Sequence, residues 1–179
     1  MPFIFENLDA RTRGLMAAEV DHDCAISSAH LNPSSRLTLH GETQWEKLLR
    51  AAIDSGDEMS LTNELGLPGG LHISGLESKP SKTGKPIRVR HDAGAVLAQS
   101  EFNRLYIRAL CVRALQDRVE VEVYRARYSN SPDLASEQKI GHKPVPDELL
   151  QDLRSSIGVA TALGLPSHPN SGLSIRVLQ

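Results

Sequence analysis

Residues 92–125 read DAGAVLAQSEFNRLYIRALCVRALQDRVEVEVYR, and within them the hydrophobic period changes from that of a helix to that of a strand. Asp92 is placed to cap a long helix running to about Asp117. Ala98, Phe102, Leu105, Tyr106, Ala109, Leu110 and Ala114 cover much of its circumference. Glu101, Arg104 and Arg108 form a narrow polar stripe at i, i+3 and i+7. A helix so apolar is expected to be central, with other elements packed over it. Val119, Val121 and Val123 then alternate with Glu120, Glu122 and Tyr124, the pattern of a strand with one buried face.

Upstream, Asn7 can cap a helix of about Leu8–Asp23 carrying Leu15, Met16 and Val20. Residues 24–42 read as loop. Thr43 and Glu46 have capping-box spacing, and Trp45, Leu48, Leu49, Ala52 and Ile53 give the helix behind them one apolar stripe ended by Gly56. A short helix, about Glu58–Leu65, starts at Asp57. Leu71–Ser74 and Ile87–Arg90 alternate like strands and flank a Pro- and Gly-containing basic loop, so they read as a hairpin. Downstream, residues 128–145 suggest a surface excursion. Pro146 suits the first turn of a helix bearing Leu149, Leu150, Leu153 and Ile157, and Leu173–Leu178 closes as a strand.

This order predicts an α+β fold: a small, mostly antiparallel sheet packed against a central long helix, with an N-terminal helical segment. The chain is expected to form one domain, helical over 1–67 and mixed over 68–179. With the valines inward, Arg88, Arg90 and Arg176 oppose Glu120 and Glu122 and can pair across the ladder at roughly 0.2–1 kcal/mol each.

Of the 179 residues, 40% are apolar and 23% charged, an ordinary globular composition. The 20 Lys and Arg nearly balance 22 Asp and Glu, so no whole-molecule field steers the chain toward nucleic acid or a membrane. Two cysteines, Cys24 and Cys111, give no disulfide framework. Met1–Glu6 has no leader character, and no stretch approaches the roughly 18 apolar residues of a membrane span. A cytoplasmic setting, without membrane contact, is the expectation.

His22, Cys24, His30 and His40 are metal-ligand types, but their spacing matches no common zinc module, and neither metal nor cofactor is expected. Glu120 and Glu122 share a strand face and can in principle hold a divalent cation or poise a proton. The lysine that a sheet-based nuclease carries just after such a Glu is missing, since Val123, Tyr124 and Arg125 follow. Cross-strand pairing with arginine accounts for the same residues. Lys82-Thr83-Gly84-Lys85 fails the phosphate-loop pattern, with Lys79 where the first Gly belongs and Pro86 after Lys85. Lys79, Lys82 and Lys85, extended by Arg88 and Arg90, can contact phosphates, yet no aromatic residue interleaves with them to stack on bases.

Two segments resist a bland reading. Arg104 and Arg108 need partners if the long helix is central; Glu101 is the nearest by sequence, and the stripe either pairs internally or opens onto a shared surface. Tyr124, Arg125, Arg127 and Tyr128 continue the best strand with planar, multi-donor side chains typical of interfaces. Asn170 and Ser171, between Pro169 and Gly172, form a tight polar turn. The succession Glu101–Arg108, Val123–Arg127 and Pro169–Ser174 resembles uncharacterised bacterial and phage-borne reading frames, a likeness covering mainly residues 95–179. That resemblance implies a bacterial or phage origin and brings no activity.

The reading that follows is a non-enzymatic protein–protein interaction or assembly subunit, self-associating or holding a protein partner. Arg104, Arg108, Tyr124, Arg125, Arg127, Asn170 and Ser171 are its candidate binding residues. The alternatives are a small metal-dependent hydrolase or nuclease-like enzyme using Glu120 and Glu122, and a nucleic-acid-binding accessory acting through the loop 79–90.

Overall fold

A helix as apolar as residues 93–117 must be enclosed, and the rest of the chain is arranged to enclose it. The computed structural model describes residues 2–27, 31, 37–66, 91–128, 134–157, 161, 164–165 and 171–178. The expected hairpin, with Lys79, Lys82, Lys85, Arg88 and Arg90, lies outside the described residues, as does Asn170. The elements are α1 (Ala10–Ile26), α2 (Leu39–Ser55), α3 (Glu58–Leu65), α4 (Ala93–Asp117), β1 (Val121–Arg125), α5 (Leu134–Glu137), α6 (Pro146–Ser155) and β2 (Leu173–Val177). The α4 helix packs against α1, α3, α6 and both strands. Phe102, Leu105, Tyr106, Ile107, Ala109, Leu110 and Cys111 are all fully buried in it.

The fold is α+β as expected: mostly helical, with a two-stranded antiparallel sheet against the long central helix and helices ahead of it. Val121 pairs with Val177, Val123 with Ile175 and Arg125 with Leu173. Val121, Val123, Leu173 and Ile175 point into the core shared with Met16, Leu49, Leu61 and Leu153. Glu122 faces Arg176 in this register, and the Arg176 guanidinium donates to Glu122 Oε1 at 2.6 Å, the expected cross-strand pair.

Several boundaries differ from the sequence reading, each for a local reason. The α1 helix is capped by Asp9, whose carboxylate accepts from Thr12 N at 2.8 Å, and not by Asn7. The α2 helix starts at Leu39, four residues ahead of the Thr43–Glu46 box. Thr38 caps it by accepting from Gly41 N at 3.0 Å, and Thr43 donates back to His40 O inside the first turn. The Asp57 cap of α3 is as expected, reciprocated by Ser60. Asp92 sits at the cap position of α4 without a side-chain capping bond. Residues 128–145 are more than an excursion: Gly141 N donates to Val123 O and Val123 N to His142 O, both at 2.9 Å, so the returning chain covers the other edge of β1.

Candidate functional site

The polar stripe of α4 turns inward. The α1 and α4 helices run antiparallel, with Asp9 beside Arg113 and Asp23 beside Arg104 and Arg108. Glu19 and Asp23 are four apart on α1, as Arg104 and Arg108 are on α4, so each pair presents one face to the other. Arg108, with no exposed surface, donates through Nη1 and Nη2 to Asp23 at 2.7 and 2.8 Å and through Nε to Glu19 at 2.7 Å. Arg104 donates to Glu101 at 2.9 Å and reaches Asp23 at 3.5 Å. Arg154 of α6 closes the network on Glu19 at 3.0 Å. Arg104 Nη1 is buried without a hydrogen-bond partner.

Burial alone would raise the Glu19 carboxyl, but the hydrogen bond from Arg154 and the charge of Arg108 outweigh it and hold it below the ordinary value. Asp23 is lowered in the same way, burial being overcome by the Arg108 hydrogen bond and charge and then by Arg104. Glu101, Arg104, Arg108, Glu19, Asp23 and Arg154 therefore form an internal, charge-balanced lattice. Of the two possibilities for the stripe, the structure takes the internal one. Arg104 and Arg108 meet carboxylates of their own chain and are buried.

The remaining candidates converge where β1 leaves the sheet. Arg125 donates to Ser171 O at 2.6 Å and pairs with Glu137 of α5. Arg127 hydrogen-bonds Gln99 and lies over the Phe3 ring, 5.3 Å from its centroid. Burial lowers the Arg127 pKa against the raising charge of Glu58. Ala126 N and Arg127 N both donate to Gly172 O, at 2.8 and 3.0 Å. Beneath them Asn103 donates to Leu173 O at 2.9 Å and accepts from Ser174 Oγ at 2.7 Å. Asn103, Arg125–Arg127 and Ser171–Ser174 thus meet at one end of the sheet. Tyr128, Leu134 and Ile4 stand around it exposed, at 64%, 74% and 71%.

Tyr124 is not on an open face. Residues 3–7, to which the sequence assigns no packing role, lie across it: Tyr124 Oη donates to Ile4 O at 2.7 Å, and Phe3, Tyr124 and Ala126 form a small apolar cluster. The signal was the Phe3–Phe5 alternation, in a chain with three Phe in all.

Glu120 and Glu122 do not converge on a shared site. Lys143 donates to Glu120 at 2.7 Å, and Glu122 holds Arg176. His22 Nδ1 lies 3.4 Å from Asp23 Oδ1, while Cys24 lies 4.0 Å from Arg50. Among the described residues no three His, Cys, Asp or Glu side chains are grouped to hold a metal ion, and no helix is long and apolar enough to cross a membrane. Compared with protein-family models, curated proteins and solved structures, the chain finds no match.

Proposed function

We propose that this chain is a non-enzymatic interaction or assembly subunit of bacterial or phage origin, and that it works through the rim around Arg125, Arg127 and Ser171. The observation that carries this reading is the pairing of chemistries there. Two guanidinium groups are held in place by Ser171 O, Glu137 and Gln99, and the chain next to them carries large apolar side chains left in water: Tyr128 follows Arg127 in sequence, and Leu134 begins the helix that bears Glu137. Leu134 is one helical turn from Glu137, which Arg125 grips. Anchored arginines next to exposed aromatic and aliphatic groups are what interface centres are made of, because little side-chain entropy is left to lose on contact. The catalytic alternative draws no such support: its two carboxylates point to separate cations, and neither faces the other across a cleft.

The partner we favour is a second copy. Sedimentation velocity on the purified chain is expected to show association that grows with concentration. The double variant Tyr128→Ser, Leu134→Ser should sediment as a monomer, with its unfolding free energy within about 0.5 kcal/mol of the parent, as for surface substitutions. A parent that stays monomeric, or a variant that associates like the parent, would remove this reading.

A further inference from the structure

Residues 3–7 are held as a bound peptide is held. Phe3 N donates to Glu58 Oε1 and Ile4 N to Ala126 O, both at 2.7 Å. Glu6 N donates to Tyr124 Oη at 3.2 Å and Asn7 N to Tyr106 Oη at 3.1 Å. Asn7 Oδ1 accepts from Val177 N at 3.0 Å, and the Glu6 carboxylate meets Arg176 at 3.2 Å. Phe5 stacks on Phe3 and tilts against Tyr106 and Phe102, with ring centroids 4.6 and 5.4 Å away. Main-chain groups are read by fixed polar atoms while alternate side chains fill apolar ground, the logic of extended-peptide recognition.

Every group that does the reading comes from α3, α4, the β1 strand and its extension, or β2. None comes from α1, to which the segment is joined only through the turn at Asn7–Asp9. The seat is also costly to leave empty. Glu58, Tyr106 and Tyr124 are buried, and without the segment a carboxylate and two hydroxyls would lose the main-chain groups they bind. Nothing in these contacts specifies whose segment fills it.

We propose that this seat, built from Glu58, Phe102, Tyr106, Tyr124 and Ala126, accepts residues 3–7 of a second copy, so that copies assemble by exchanging the segment. The contacts made in trans equal those made in cis, which makes such exchange a low-cost route to a dimer. The chain's own segment competes at high effective concentration, so exchange needs copies held close together. The rim supplies that proximity, since Ile4 bonds to Ala126 and Tyr128 follows two residues on; in this respect the inference rests on the reading above.

The Glu6–Arg176 contact gives a direct test. Arg176→Lys preserves the charge and lets a carbodiimide join Glu6 to the new amine without a spacer. Nitrogen-15-labelled and unlabelled copies of this variant are refolded together, cross-linked and digested. Exchange predicts Glu6–176 links of mixed isotope, rising toward about half of all such links with protein concentration. The Lys143–Glu120 link, 2.7 Å apart within the body of the chain, should remain unmixed. Glu6–176 links that are unmixed at every concentration would overturn the exchange while leaving the sedimentation result, and hence the rim, untouched. Mixed links that persist with Tyr128→Ser and Leu134→Ser added would keep the exchange and dismiss the rim. A labelled synthetic peptide of residues 2–8 supplies a second readout. The full chain carrying Phe3→Ser and Phe5→Ser should bind it roughly ten-fold more tightly than the parent, whose own segment competes. Equal affinity would count against the seat.

Discussion

Arg108 has no exposed surface and serves two carboxylates, so removing it leaves Glu19 and Asp23 enclosed with too little positive charge. Breaking a buried pair from one side costs about 3–5 kcal/mol, and denaturant melts of Arg108→Ala should show a loss of that size. Arg104→Ala should lose less, because Asp23 keeps its two bonds from Arg108. Acid acts on the same groups. Glu19 and Asp23 are held below their ordinary values of 4.5 and 3.8, so the unfolded chain takes up these protons first. Their contribution is full above those values and is lost as pH falls through the lowered folded ones. Glu58 runs the other way: burial raises it despite the Phe3 amide, so its charge costs stability that acidification restores. Glu58→Gln still accepts from Phe3 and should raise stability at pH 7 while steepening the loss in acid, read from urea midpoints across pH. The need of the two arginines for partners was legible in their place on an apolar helix. Glu101, the nearest by sequence, does hold Arg104. Glu19 and Asp23, which hold Arg108, are not legible in the same way although they repeat the spacing of Arg104 and Arg108, because facing stripes can be matched only once two helices are known to touch.

Elements with a long periodic signal were read well and those defined by local chemistry less so. The α4 helix and its strand follow from sustained apolar periods, which few alternative packings satisfy. The start of α2 was misplaced because Thr38 and Thr43 are both competent caps. The choice falls to packing: Leu31 and Leu37 are buried, and Trp45 donates to Leu31 O at 2.8 Å, which draws the chain into helix earlier. Segment 3–7 carries no more than the Phe3–Phe5 alternation, and its bonds span 55 to 170 residues, so no local pattern names their partners. The turn into β2 is constrained by its backbone as well as by the Arg125–Ser171 bond. Gly172 has φ +67°, and a Cβ there would lie 2.3 Å from Arg127 O, whereas Gly141, with φ +83°, has nothing within 4 Å. Gly141→Ala should therefore cost only the left-handed strain of about 1–2 kcal/mol. Gly172→Ala must also push apart the Arg127–Gly172 crossing and should cost clearly more in parallel thermal melts.

At the scale of the molecule, α4 touches α1, α3, α6 and both strands and so contributes to the packing of each of them. Unfolding is accordingly expected in one step. Trp45, the single tryptophan, is buried on α2, so its fluorescence and the far-ultraviolet circular dichroism should trace coincident urea transitions. Separated midpoints would mean that the helices ahead of α4 form a unit of their own. The same centrality has a consequence during synthesis. Glu19 and Asp23 emerge from the ribosome 89 and 85 residues before Arg108, the cation that lets them be buried. Until then α1, α2 and α3 can cover one another only in part, and for that interval the growing chain depends on its own hydrated carboxylates, or on a chaperone, to stay apart from its neighbours.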